Sequence, residues 1–236
     1  MKFTFDEKTH KYYLDDELLP GVTTILGTLN KPALVQWAAN EAIKYIEAKG
    51  EKLDEETYKV TGEVLEAART AHAKRRDKAA SQGTDVHAEI ETIIKAYIKG
   101  ETPEVQEVSA QAKKFVLWAA ENKVAFHESE KKLYSEKHRF AGTVDFTATI
   151  GGKKMVGDIK TTSGIYDLSP FLQCAAYRVM LEEMGETGYK GSIIIRLGKD
   201  GSFEEAYRAD ESGEDMETFL NLLAVYKAMA RYKNTK

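Results

Sequence analysis

The sequence predicts an α+β domain, with a mixed β-sheet core flanked by helices and a helical N-terminal portion. The first half is rich in Ala, Glu, Lys and Arg between Gly and Pro stops, as helices are. The second half alternates apolar and polar residues over strand-length runs. Two turn signals, Gly151-Gly152 and Lys199-Asp200-Gly201, each separate a pair of such runs. A chain of 236 residues can bury a core without staples. The expectation is one domain over 1–236. Residues 1–82 form a hairpin and helical cap, 83–208 the core, and 209–236 a closing helix.

The elements follow in order. Phe3 and Phe5 alternate with polar neighbours and are answered by Tyr13-Leu14, a hairpin pattern. Leu19–Leu26 is an apolar, β-branched run around a Pro-Gly pair. Pro32 suits a first helical position before 33–49, and Gly50 is a stop. Asp54–Ala80 reads as one long helix or two shorter ones, with Gly62 weakening continuity. Gly83-Thr84 opens a helix to Lys99, and Pro103-Glu104 another to about Lys123. Strands are expected over Val124–Tyr134, Phe140–Ile150, Lys154–Thr161, Gly191–Leu197 and Ser202–Tyr207. In the second of these, Val144, Phe146, Ala148 and Ile150 should share one side. Ser169-Pro170 starts a helix to about Met184, and Glu214–Tyr232 is the last helix.

Composition excludes several classes. One cysteine, Cys174, forbids an internal disulfide framework, a four-cysteine zinc site and the usual iron–sulfur cluster. No apolar run approaches the roughly 20 residues of a membrane helix, so no membrane partner is expected. The N-terminus has no apolar leader pattern, and the expected compartment is cytoplasmic. The net charge of −4 argues against coating nucleic acid non-specifically but permits a nuclease, whose metal site itself consumes carboxylates.

The chemistry-bearing residues begin with Asp145, Asp158 and Lys160. Asp158 and Lys160 are two apart on a strand and point to one face. A hairpin centred on Gly151-Gly152 brings Asp145 opposite position 158. Close carboxylates repel unless a cation lies between them, and a hard divalent ion takes such ligands together with substrate oxygens. Solvated charges on an outer face are the competing reading. His87 and Glu91 share a helix face, as do Gln173 and Tyr177. Taken alone, each is more often an ordinary feature of a packed helix than part of a site.

Taken together, Gly83-Thr84-x-x-His87, Gly142-Thr143-x-Asp145, Gly157-Asp158-Ile159-Lys160-Thr161 and Gln173-x-x-x-Tyr177 resemble the RecB-like branch of the PD-(D/E)xK nucleases. That branch includes phage exonucleases and the mitochondrial genome maintenance exonuclease. The resemblance covers about residues 83–197, and the segment 20–26 also looks like an N-terminal piece of those members. It implies a restriction-endonuclease-like mixed sheet. It further implies that His87, Asp145 and Asp158 hold one or two Mg²⁺ or Mn²⁺ ions with the Ile159 main-chain carbonyl. Glu130, favoured over Glu128, would add a further acidic ligand. Lys160 would be the catalytic lysine, acting with Asp145 and Asp158. Gln173, Tyr177 and Thr161 would contact the substrate. The single cysteine departs from relatives that carry an iron–sulfur cluster, and no nucleotide-binding P-loop motif is present.

The implied activity is metal-dependent DNA exonuclease action on single strands or free ends, leaving a 5′-phosphate and a 3′-hydroxyl, in recombination, repair or phage DNA processing. The alternatives are a structure-specific or restriction-type endonuclease of the same fold and a catalytically inert DNA-binding module. A helicase or a single-strand annealing protein would be a fitting partner. Lys74, Arg75, Arg76 and Lys78, with Lys113-Lys114, Lys131-Lys132, Lys137 and Arg139, are candidates for a basic path. Tyr166 and Phe171 are candidates for stacking on bases.

Overall fold

A computed structural model of the chain describes residues 1–29, 31–210 and 213–235. The elements in chain order are β1 (Phe3–Asp6), β2 (Lys11–Leu14), β3 (Glu17–Leu19), α1 (Val22–Leu26), α2 (Pro32–Lys49), β4 (Glu51–Lys52) and β5 (Tyr58–Lys59). Then come α3 (Gly62–Arg69), α4 (Ala71–Ile98), α5 (Ala110–Glu121), β6 (Ala125–Ser135), β7 (Phe140–Ile150) and β8 (Lys153–Lys160). The chain closes with α6 (Ser169–Glu183), β9 (Tyr189–Leu197), β10 (Phe203–Ala209) and α7 (Glu214–Asn234). Two compact units result: Met1–Leu29 with Val86–Lys236, and Asn30–Asp85. No helix among the described residues is long and apolar enough to cross a membrane.

The larger unit is built on a five-stranded mixed sheet in the order β10-β9-β8-β7-β6. Only β8 and β9 are parallel, joined by the crossover helix α6. The other neighbours are antiparallel. Gly151 and Gly152, with φ of +55° and +77°, make the tight β7–β8 turn that their sequence signals. One face of the sheet packs Leu172, Met180 and Leu181 of α6, Phe219 of α7, and Val22 and Ile25 of α1 against Phe140, Val144, Val156 and Ile194. The opposite face packs Ile90 and Ile94 of α4 and Phe115 of α5 against Phe146, Ala148, Met155 and Ile195. Buried apolar area on both faces is the main favourable term holding the layers together. A small sheet, β1-β2-β3, completes the unit through the hydrogen bond from Ala141 N–H to the Pro20 carbonyl at 3.0 Å.

The second unit holds α2, the β4–β5 pair, α3 and the first part of α4. Here the expectation of helix from Asp54 onward is corrected. Asp54 Oδ1 accepts the N–H groups of Glu56 and Thr57 at 2.9 and 2.8 Å, a side-chain turn that competes with helix. Helix begins only at Gly62, where Thr61 Oγ1 accepts the Val64 N–H at 3.4 Å.

Other boundaries also differ from expectation. Gly83-Thr84 does not open a helix, because α4 runs unbroken from Ala71 to Ile98. An interior glycine costs only about 1 kcal/mol, which flanking helix formers and a packed face offset. Residues 103–109 are not helical. Ser109, held by Glu89 Oε2, caps α5 by accepting the Ala112 N–H at 3.1 Å. Ser169 is the first residue of α6 rather than its cap, and Asp167 Oδ1 accepts its N–H at 2.9 Å. The run 19–26 splits into the end of β3 and the five-residue helix α1.

The alternation expected of β7 breaks at Asp145. Phe140 and Val144 pack beneath α6, whereas Phe146 and Ala148 pack beneath α4 and α5. All four are even-numbered, so the strand reverses its faces between Val144 and Phe146. The same place is irregular in β6. Ser129 pairs with Phe146 and Lys131 with Val144, but Glu130 and Asp145 between them do not pair. Glu130 has a φ of +49°, left-handed backbone that a non-glycine residue seldom adopts.

Candidate active site

The β7–β8 ladder runs from Ile150↔Lys153 to Phe146↔Gly157 and stops. The next residues along it are Asp145 and Asp158, where the hairpin arithmetic predicts them to meet. The strands part there, and Asp145 spans the opening. Its Oδ2 accepts the Ile159 N–H at 2.7 Å.

His87 reaches the same oxygen from α4, with Nδ1 3.8 Å from Asp145 Oδ2. The Ile159 backbone lies close enough to the imidazole to favour its protonated form. His87, Glu130 and Asp145 each place one ligand atom within 4.8 Å of the others. The alternative acid, Glu128, is engaged by Lys131 Nζ at 2.7 Å.

Asp158 lies on the α6 side of β8 and is 1 % exposed. Lys160 Nζ stands 2.9 Å from its Oδ1 and 2.7 Å from its Oδ2. The Lys160 ammonium is thus the close partner of both oxygens of this buried carboxylate. Lys160 Nζ also donates to Gln173 Oε1 at 3.3 Å, and Gln173 Nε2 donates to Tyr177 Oη at 2.9 Å. The polar chain thus runs from Asp158 through Lys160 and Gln173 to Tyr177. Thr161 is half-buried just past the end of β8.

The motif glycines have steric reasons. A Cβ on Gly142 would sit 2.7 Å from Cε1 of Tyr177, so the Tyr177 ring occupies the space a side chain would need. A Cβ on Gly157 would sit 2.0 Å from Cζ of Phe146, whose ring lies across the strand onto it.

Burial dominates the electrostatics. It raises the pKa of Asp145 to about 6 and that of Asp158 to about 7, against the pull of Lys160 on both. Burial raises Glu130 as well, with Glu91 adding to the shift. It lowers His87, partly offset by Asp158. For Lys160, burial works against the charge, but Asp158 and Asp145 outweigh it and hold the pKa above the ordinary lysine value.

This donor set fits a hard divalent cation. Two carboxylates and one imidazole converge, with the buried Asp158 carboxylate near enough for its charge to act on theirs. Left-handed backbone at Glu130 is the kind of strain that recurs where a ligand's aim matters more than backbone comfort.

The proposed basic path is largely engaged within the protein. Arg75 bonds Glu41 at 2.6 Å, and Arg76 pairs with Asp77 at 2.9 Å. Lys131 bridges Glu128 and Glu186, Arg139 pairs with Glu17, and Lys114 bonds the Gly201 carbonyl. Phe171 packs against the core beneath α6. Sequence reasoning gave no role to Tyr12, whose Oη lies 2.9 Å from Thr143 Oγ1 and so ties β2 to the strand that carries Asp145. Its place beside Leu14 in a short alternating run signalled burial only.

No protein-family model matches the chain, and no curated protein matches it. Among solved structures, the crystal structure of SSO0001 aligns at 16 % sequence identity with a TM-score of 0.30. That alignment covers 48 % of this chain and 53 % of the other, so it spans about half the length of each.

Proposed function

We propose that the chain is a metal-dependent deoxyribonuclease of the RecB-like PD-(D/E)xK kind, acting as an exonuclease on single-stranded DNA or free ends. The observation that carries the reading is the meeting of Asp145 with His87 and Glu130 beside the pair of buried Asp158 and half-buried Lys160. One cysteine in the chain and no disulfide fit the reducing cytoplasm. A helicase or a single-strand annealing protein would supply suitable ends.

His87, Glu130, Asp145 and Asp158 would hold Mg²⁺ or Mn²⁺, with the Ile159 main-chain carbonyl beside them. When bound, the ion supplies charge neutralisation and polarises a phosphodiester oxygen. Lys160 keeps its proton at neutral pH and stabilises negative charge building on the phosphate. Gln173 fixes the position of Nζ through Oε1, and Tyr177 fixes the amide. The oxygen of water adds to phosphorus as the P–O3′ bond breaks, the water giving one proton to solvent and the departing O3′ taking one from it. The products are a 5′-phosphate and a 3′-hydroxyl.

The test is incubation with end-labelled linear single-stranded DNA and with a covalently closed circle, in Mg²⁺, Mn²⁺ or EDTA. Shortening of the linear strand only with metal, with the circle intact, is the expected result. Cutting of the circle would make the enzyme an endonuclease. Binding without cleavage in any metal would make it an inert binding module.

A further inference from the structure

Tyr166 stands in the loop 161–168, which leaves β8 at Lys160 and enters α6 four residues before Gln173. Its relative exposure is 78 %, and no other large apolar or aromatic side chain among the described residues is more exposed. A ring left in water is ordinarily free to change rotamer. This one is held. Its Oη lies 2.7 Å from Ser163 Oγ, and a Cβ on Gly164 would sit 2.8 Å from its Cζ, so the ring rests over a glycine that makes room for it.

The loop is itself anchored to β9, the parallel neighbour of the strand that carries Asp158 and Lys160. Arg196 Nη1 donates to the Thr162 carbonyl at 3.4 Å, and Arg196 is the register partner of Lys160 across the parallel β8–β9 ladder. Asp167 Oδ1 accepts the Ser169 N–H at the loop's far end. The loop therefore lies at the carboxyl ends of the parallel strands, the end of an open sheet where ligands are ordinarily bound.

We propose that Tyr166 is a stacking platform for one unpaired base of the strand entering this site, and that it sets a preference for single over double strands. Stacking tolerates any base, since every base presents a π-face, but it needs a face that a neighbouring base in a duplex already covers. A ring fixed in advance loses little conformational freedom when the base arrives. The proposal rests on the nuclease reading for the identity of the ligand, and its test separates the two.

Binding of fluorescent oligothymidylate would be compared with binding of an equally long strand of abasic sites, in EDTA, by anisotropy. The proteins are the full chain and its Tyr166→Ala and Tyr166→Phe variants. The wild type and Tyr166→Phe should favour the base-bearing strand by about tenfold, as expected for one stacked base. Tyr166→Ala should bind both strands at the weaker level. An unchanged base preference in Tyr166→Ala would overturn the proposal, as would a wild type indifferent to the bases.

Cleavage is then measured on the same proteins with Mg²⁺ and Mn²⁺. Cleavage with no effect of Tyr166→Ala on base preference removes the stacking role alone. Base preference lost in Tyr166→Ala, with no cleavage by any protein, removes the nuclease reading alone. Failure to bind either strand removes both.

Discussion

The Tyr177 ring fills the space above Gly142, 2.7 Å from where a Cβ would stand. One helix of the site is thereby seated on the strand that carries Asp145, and the two motifs are halves of one contact.

Gly142→Ala should therefore destabilise the protein by roughly 1–3 kcal/mol, the usual cost of overpacking a filled core. Denaturant midpoints measure it. In a Tyr177→Ala background the same substitution should cost clearly less, because only Val22, 3.1 Å away, still crowds the new methyl. Equal costs in the two backgrounds would show that the ring is not what Gly142 accommodates.

Stability should depend on pH in a particular direction. Asp145 and Asp158 have folded pKa values near 6 and 7, above the ordinary 3.8. Each binds a proton more tightly folded than unfolded. Their contribution is thus complete below about pH 4 and is lost as pH rises through 6 and 7. Denaturant midpoints in EDTA should fall from about pH 4 to about pH 7 and level off above, and Asp145→Asn should reduce the fall. Added Mn²⁺ should stabilise the wild type increasingly over the same interval, and Asp145→Asn much less. A midpoint that rises with pH in EDTA would contradict the burial of these carboxylates.

Gln173 touches both Lys160 and Tyr177, and in the proposed mechanism it is a positioning residue. Gln173→Ala should lower kcat by up to about a hundredfold, the scale of a misplaced catalytic group. KM for DNA should change far less, and Gln173→Glu should not restore the rate. A loss confined to KM would assign Gln173 to substrate binding instead.

Much of this arrangement was legible in the sequence, for local reasons. Gly151-Gly152 fixes a two-residue turn, and counting back from it brings Asp145 level with Asp158. Helical spacing placed Gln173 and Tyr177 on one face. The reversal of β7 at Asp145 was not legible, because strand period assumes an unbroken ladder and the break coincides with left-handed backbone at Glu130 in the neighbouring strand. The turn at Asp54 was lost for a similar reason: a side chain that bonds its own backbone looks, in composition, like any helical Asp. The stop of β7–β8 pairing at Phe146↔Gly157 and the bond from Ile159 N–H to Asp145 are tertiary facts with no local signal.

The central claim is that Lys160, beside the carboxylates at the parting of β7 and β8, drives metal-dependent cleavage. Its most direct test is the single-turnover rate of shortening of an end-labelled single strand in Mn²⁺, wild type against Lys160→Ala. Binding of the same strand would be measured in parallel in EDTA. The account predicts cleavage by the wild type and a loss of at least about a hundredfold in the variant, the scale for removing one aimed charge from a transition state, with binding retained. Equal rates in the two proteins would contradict it.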